Sequence, residues 1–258
     1  MVVEALAWAL TWVGIAAAIG WMVLIWWRER GSERERRLQG YEAVKACLAE
    51  DVSALADDLW RLGRDLADAD NVGEARRDYE RAVAINDAVR RSVGQLWSAD
   101  LADAPTRALG EARYAMACAR SRLAGRPIPE RRLPCFFNPR HGPSVADVRW
   151  HDAPGEPQDV PVCAAHAPRI ATADEPDSLH VWTGSTRVPY WQATVAFYAY
   201  AAGYFDGDWA GSRNGALVAI QSSMFRGGAV GDDPSLWVPI GGDFGGGGGC
   251  DCGGGGGC

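Results

Sequence analysis

The sequence lacks the surplus of positive charge that a nucleic-acid-binding surface needs. Its 26 lysine and arginine residues are outnumbered by 33 aspartate and glutamate residues, and the formal net charge is −7. Because duplex binding requires a basic face that neutralises phosphates, the composition argues against nucleic acid as a partner. The GxxxxGK[ST] phosphate loop and the HExxH metalloprotease motif are also missing. The sequence therefore carries no motif that names a reaction.

Charged residues are missing from a second place, the stretch 6–27 near the N-terminus. These 22 residues, if helical, are long enough to cross a hydrocarbon core of about 30 Å. Tryptophans lie near both ends of the stretch, as is typical of residues at the two membrane interfaces. A cleaved signal peptide is disfavoured because Glu4 is the only charged residue before the stretch. The pattern predicts a transmembrane helix over 6–27, with the lipid bilayer as a partner.

Positive charge is distributed unevenly around this stretch. No lysine or arginine precedes it, whereas five arginines follow it closely: Arg28, Arg30, Arg34, Arg36 and Arg37. The positive-inside rule then predicts a single-pass plasma-membrane protein, with the N-terminus outside and the C-terminal body, from residue 28 onward, in the cytoplasm. In a reducing compartment, spaced cysteines bind metal or stay free more often than they form disulfides.

Apolar residues recur at helical spacing between residues 32 and 126, and turn-forming residues divide this region into three stretches. The first stretch has a heptad-like seam made of Tyr41, Leu48, Val52, Leu55, Leu59, Leu62 and Leu66. Short connections make consecutive helices antiparallel neighbours, so the region predicts an antiparallel, coiled-coil-like helical bundle. The bundle serves either as a spacer or as a surface for self-association or for a protein partner.

Prolines interrupt the chain after the bundle, with ten of them between residues 127 and 176. Long helices cannot form there, so residues 127–237 predict a small irregular α+β domain. Its expected elements are strands at 145–151, 160–163 and 179–183 and an aromatic helix at 190–205. The full predicted architecture is a transmembrane helix, an antiparallel helical bundle, this small domain, and a disordered glycine-rich tail at 238–258.

Two cysteine–histidine pairs lie within the predicted small domain. Cys135 and His141 occur in CFFNPRH, and Cys163 and His166 occur in CAAH. Zinc in structural sites takes four sulfur or nitrogen ligands in a tetrahedron, and a small proline-rich domain needs such a staple. The sequence predicts one structural zinc ion on these four residues.

The same residues allow an alternative, an enzyme that uses a cysteine nucleophile. Either Cys163 with His166, or Cys135 with His141, would form the catalytic pair, and Asp147 or Asp152 would orient the histidine. Residue types alone do not define a catalytic pair, because its geometry decides.

The C-terminal tail is a further candidate site. Twelve of the 31 glycines fall between residues 241 and 258, together with Cys250, Cys252 and Cys258. These thiols could hold a soft metal ion. The alternatives are an unstructured end without a ligand, or thiols that crosslink to another molecule.

Several segments resemble a group of uncharacterised actinobacterial single-pass membrane proteins. The similar segments are CFFNPRHGPSVADVRW, VPVCAAHAPRI and VPYW, with ARYAMACARSRLAGRPIPERR before them, and they cover roughly residues 75–205. The glycine- and cysteine-rich end is similar to the tails of bacterial TPM-domain membrane proteins, although the TPM body is not evident. The resemblance implies a bacterial context and the same order of parts, and it implies no activity. The last histidine of the module varies in that group, so the resemblance supports His166 less than the other three ligands, with Asp147 or His151 as substitutes.

Overall fold

The computed structural model describes residues 2–70, 72–151, 157–172, 174–184, 186–206 and 215–226. In the N-terminal helix, side chains are described at residues 12, 15 and 18–67. Residues Met1–Gly228 form one compact unit. The predicted tail at 238–258, with its three cysteines, lies outside the described residues.

Three helices make up the first half of the chain. They are α1 (Val2–Ala67), α2 (Gly73–Gln95) and α3 (Asp103–Leu123), and a short 3₁₀ helix at Ala99–Leu101 precedes α3. Pro105 lies in the first turn of α3, where its missing N–H costs no helical hydrogen bond. The proline that separates the stretches in sequence therefore lies within the first turn of the third helix.

Contacts at the helix ends show that α2 runs antiparallel to both of its neighbours. The hydroxyl of Tyr41, in α1, donates to the carbonyl of Leu96 at the end of α2, over 2.7 Å. Arg122, at the end of α3, pairs with Asp78 near the start of α2, over 2.9 Å. The short connections between the helices account for this arrangement.

The predicted leucine seam of α1 is buried against the other helices. This prediction is confirmed for the residues Leu48, Val52, Leu55, Leu59 and Leu62, each of which is at most 4% exposed. Apolar residues of α2 and α3 complete the same core, among them Val89, Leu109 and Met116. Burial of side chains this size stabilises the fold by about 1.5–3 kcal/mol each.

No helix in the described part of the chain has a segment that is both long enough and apolar enough to span a bilayer. The predicted transmembrane helix at 6–27 is therefore wrong, and so are the predicted plasma-membrane location and its orientation. α1 continues from this stretch without a break into the charged segment after residue 27. A helix needs about 20 apolar residues to span the hydrocarbon. The remaining side chains of the predicted span lie outside those described.

Two antiparallel hairpins follow the bundle. Strands β1 (Ala146–Trp150) and β2 (Gln158–Val162) pair with Val148 opposite Val160. Strands β3 (His180–Thr183) and β4 (Thr186–Pro189) form the second, separate two-stranded sheet. A two-stranded sheet is marginal by itself, so each hairpin depends on what packs against it.

The remaining elements are short. They comprise helices α4 (His166–Ala171), α5 (Tyr198–Phe205) and α6 (Gly215–Arg226), and 3₁₀ helices at Pro139–His141, Tyr190–Gln192 and Val195–Phe197. The aromatic helix predicted at 190–205 is thus two 3₁₀ turns followed by α5. Its rings join those of the proline-rich segment and the helices in one continuous core. The fold class is corrected accordingly: a largely helical compact unit carries two small sheets.

Gly203 in α5 allows a close approach to the start of α3. A Cβ at this position would overlap the Thr106 hydroxyl and the Asp103 carbonyl. Gly203→Ala should therefore destabilise the protein by about 1–3 kcal/mol, the usual cost of overpacking, in urea unfolding. The control is Gly94→Ala in α2, where a Cβ meets nothing within 4 Å. There alanine should stabilise by up to about 1 kcal/mol. Equal effects at the two positions would contradict the close approach.

Candidate metal centre

The first ligand loop is a closed turn between two prolines. Pro134 and Pro143 form an isolated antiparallel bridge, and the amide of Cys135 donates to the carbonyl of Gly142 over 3.1 Å. Gly142 has φ of 80°, which L side chains rarely adopt. The closed loop brings Cys135 near His141, although five residues separate them in sequence.

The second ligand loop joins β2 to α4. Cys163 directly follows β2, and its carbonyl accepts from the amides of His166 at 3.1 Å and Ala167 at 3.0 Å. The amide of Phe136, in the first loop, donates to the carbonyl of Pro161 over 2.7 Å. Strand β2 therefore leads into the second ligand loop and holds the first ligand loop by a hydrogen bond.

The four predicted ligands converge on one point. Their ligand atoms all lie within 4.8 Å of one another. Cys135 Sγ lies 3.1 Å from His166 Nδ1, and Cys163 Sγ lies 3.5 Å from His141 Nδ1. Tetrahedral bonds of 2.0–2.3 Å would separate neighbouring ligands by about 3.3–3.8 Å. The four residues therefore lie close enough together to hold a metal ion.

Burial within the cluster is uneven. Cys135, Cys163 and His166 are buried, whereas His141 is exposed. The ring of Phe137 packs edge-on against His166 with centroids 5.6 Å apart, and the two histidine rings lie 4.9 Å apart. Three of the four side chains are thus shielded from solvent, and His141 is the exposed member of the cluster.

The pKa values of the two thiols are shifted in opposite directions. The pKa of Cys163 is lowered, chiefly by its hydrogen bond with Cys135 and then by the His141 ring and the amides of His166 and Ala165. The pKa of Cys135 is raised, because this thiol donates to Cys163 and is also buried. Burial lowers the pKa of His166 and favours its neutral form. Thiolate and neutral imidazole are the forms that bind metal, so binding would release the Cys135 proton.

The closest sulfur–nitrogen contacts differ from the two predicted catalytic pairs. Each close sulfur–nitrogen contact joins a cysteine of one loop to the histidine of the other loop. The carboxylate of Asp147 accepts from Arg132 Nη2 over 2.6 Å, which leaves it paired on the surface of β1. Asp152 lies outside the described residues. His151 is described and exposed, and it is not part of the cluster.

Sequence reasoning missed a buried charged network beside the cluster. Asp51 of α1 is fully buried and accepts from the hydroxyls of Tyr200 at 2.7 Å and Tyr204 at 2.9 Å. It also pairs with Arg140, the residue before His141. A signal was available, since Asp51 is three residues after Leu48 and four before Leu55, on the buried face of the helix.

Comparisons with protein-family models, with curated proteins and with solved structures found no match to this chain. The resemblance of its Cys/His module to the actinobacterial group stays a prediction. The function is therefore argued from the geometry of the site.

Proposed function

We propose that this protein is a non-enzymatic scaffold or binding module in which a structural zinc ion holds the proline-rich segment together. The observation that carries the proposal is the convergence of Cys135, His141, Cys163 and His166 within 4.8 Å. Two sulfurs and two nitrogens complete a tetrahedron, which leaves no open position for substrate or water, as in structural zinc sites. Thiolate with imidazole in this geometry favours zinc over magnesium or calcium.

A metal ion at this point would join the two ligand loops and the start of α4 directly to one another. The ligands come from the loop 134–143, from the end of β2 and from the start of α4. Each sheet has only two strands, and ten prolines limit the regular hydrogen bonding between 127 and 176. Zinc supplies about 10–16 kcal/mol to the folding of zinc-finger peptides, so it is a sufficient staple for such a segment.

An enzyme that uses a Cys–His pair is less well supported. A catalytic pair needs a reactive thiolate in an accessible pocket, with a third group that orients the base. Here both sulfurs are buried, and Asp147 is engaged by Arg132.

For the binding role we propose a protein partner or a second copy of the chain, because a net charge of −7 disfavours nucleic acid.

The metal content of the purified full-length chain tests the proposal. Cys250, Cys252 and Cys258 are changed to serine in every sample, so that tail thiols cannot contribute metal. We expect one zinc ion per chain by elemental analysis. His166→Ala should reduce the zinc content to below half, whereas His180→Ala, at an exposed histidine of β3, should leave it unchanged. A wild-type site that takes up no zinc from a zinc-containing buffer would refute the proposal.

A further inference from the structure

Asp51 and Arg140 connect the long helix α1 to the first ligand loop. The Arg140 guanidinium pairs with Asp51 through Nε and with Glu50 through Nη2, the latter at 3.3 Å. These partners are about 90 residues apart in sequence, so the contact exists only in the folded chain. Arg140 immediately precedes His141, the exposed member of the cluster.

The backbone of Arg140 is held as well as its side chain. Arg113 of α3, which is 1% exposed, donates from Nη1 to the Arg140 carbonyl over 2.6 Å. The Arg140 amide donates to the side chain of Asn138 over 3.1 Å. Two helices and the loop itself thus restrain the peptide units next to His141.

The buried carboxylate of Asp51 is engaged by several side chains of this network. Its carboxylate faces Arg140 and the hydroxyls of Tyr200 and Tyr204, and Arg113 Nη2 lies 3.5 Å from its carbonyl. Burial, and then the Asp51 charge, raises the pKa of both tyrosines, so both hydroxyls stay protonated and donate. Removing one member would leave a buried polar group without its partner, which is costly.

The two histidines of the cluster are held in different ways. His166 begins a helix and is fixed by burial and by the Phe137 ring. His141 is exposed, its ring contacts Cys163 Sγ and the His166 ring within the cluster, and the backbone of the first ligand loop carries it there. The network around Arg140 acts on that backbone, one residue away.

We propose that Asp51 is a positioning residue of the metal centre, which holds His141 in place for the metal through Arg140. This inference rests on the proposed zinc site. Groups that orient metal ligands from outside the coordination sphere typically change metal affinity by about 10–100-fold. We expect Asp51→Asn, which keeps the shape and removes the charge, to weaken zinc binding at least about tenfold.

Competition with a chromophoric chelator measures this effect in the full-length chain with the three tail cysteines changed to serine. Asp57→Asn is the matched control, since Asp57 is exposed on the same helix, and it should leave zinc affinity unchanged. The effect of Asp51→Asn should largely vanish in a His141→Ala background, because Asp51 acts through that ligand. With Co²⁺ as the probe, Asp51→Asn should shift the ligand-field absorption towards that of His141→Ala.

A second pair of variants covers the case in which Asp51→Asn does not fold. Arg140→Gln should lose zinc affinity, and Arg140→Lys, which keeps a positive charge beside Asp51, should recover most of it. If Asp51→Asn reduces zinc affinity equally in the wild-type and His141→Ala backgrounds, the inference is overturned, but the proposed zinc site is not. Equal affinities for Arg140→Gln and Arg140→Lys would do the same. A wild-type chain that binds neither ion would overturn both proposals.

Discussion

Cys135→Ser should abolish the proposed zinc binding and lower the free energy of unfolding by more than about 4 kcal/mol, the range in which loss of a structural metal falls. Serine is a poor zinc ligand, and Cys135 is fully buried. The proline-rich segment and the helices share one continuous core within one compact unit. The helices should therefore lose stability together with the ligand loops, in a single transition.

Urea unfolding monitored by far-ultraviolet circular dichroism and tryptophan fluorescence measures this change, with zinc content determined on the same samples. Cys118→Ser is the matched control, since Cys118 is a buried cysteine of α3 that is not a member of the cluster. It should keep its zinc. Two separate transitions in Cys135→Ser, with the helical signal unchanged, would show that the metal stabilises only the ligand loops.

Leu55→Ala should destabilise the protein by about 2–5 kcal/mol, the range of leucine truncations in packed cores. Leu55 is 0% exposed at the centre of the α1 seam, where α2 and α3 surround it, so truncation leaves a cavity. The control is Leu38→Ala on the same helix, where the leucine is 63% exposed. That change should stay within about 0.5 kcal/mol, as is usual for surface sites. If Leu55→Ala and Leu38→Ala unfold in urea with similar transition midpoints and slopes, Leu55 lies outside the core.

The zinc proposal no longer depends on where the protein resides. The sequence favours metal binding over disulfides only if the cysteines lie in a reducing compartment. That compartment was inferred from the predicted membrane helix. That helix is not found in the described chain. The proposal now rests on the convergence of four ligand atoms, which include the histidine that the resemblance favours least.

Local patterns in the sequence were sufficient for the leucine seam and for the composition of the metal cluster. Apolar spacing of three and four residues determines which face of a helix is buried, whatever it packs against, and Leu48 to Leu62 follow it. Cysteine and histidine have few roles in a proline-rich segment, so Cys135, His141, Cys163 and His166 could be named from residue type and spacing. The uncharged stretch at 6–27 misled, since no helix in the described part of the chain is long and apolar enough to span a membrane.

Only the tertiary structure decided how the ligands pair across the loops and what holds them. Cys135 faces His166 and Cys163 faces His141, because the loop 134–143 is anchored on β2. Asp51 meets Arg140 and the tyrosines of α5 across separations of 89 to 153 residues. A buried carboxylate is stable only where its partners converge, and no spacing along the chain encodes that convergence. The sequence by itself determined which residues could bind a metal ion, and packing of distant elements decided their geometry.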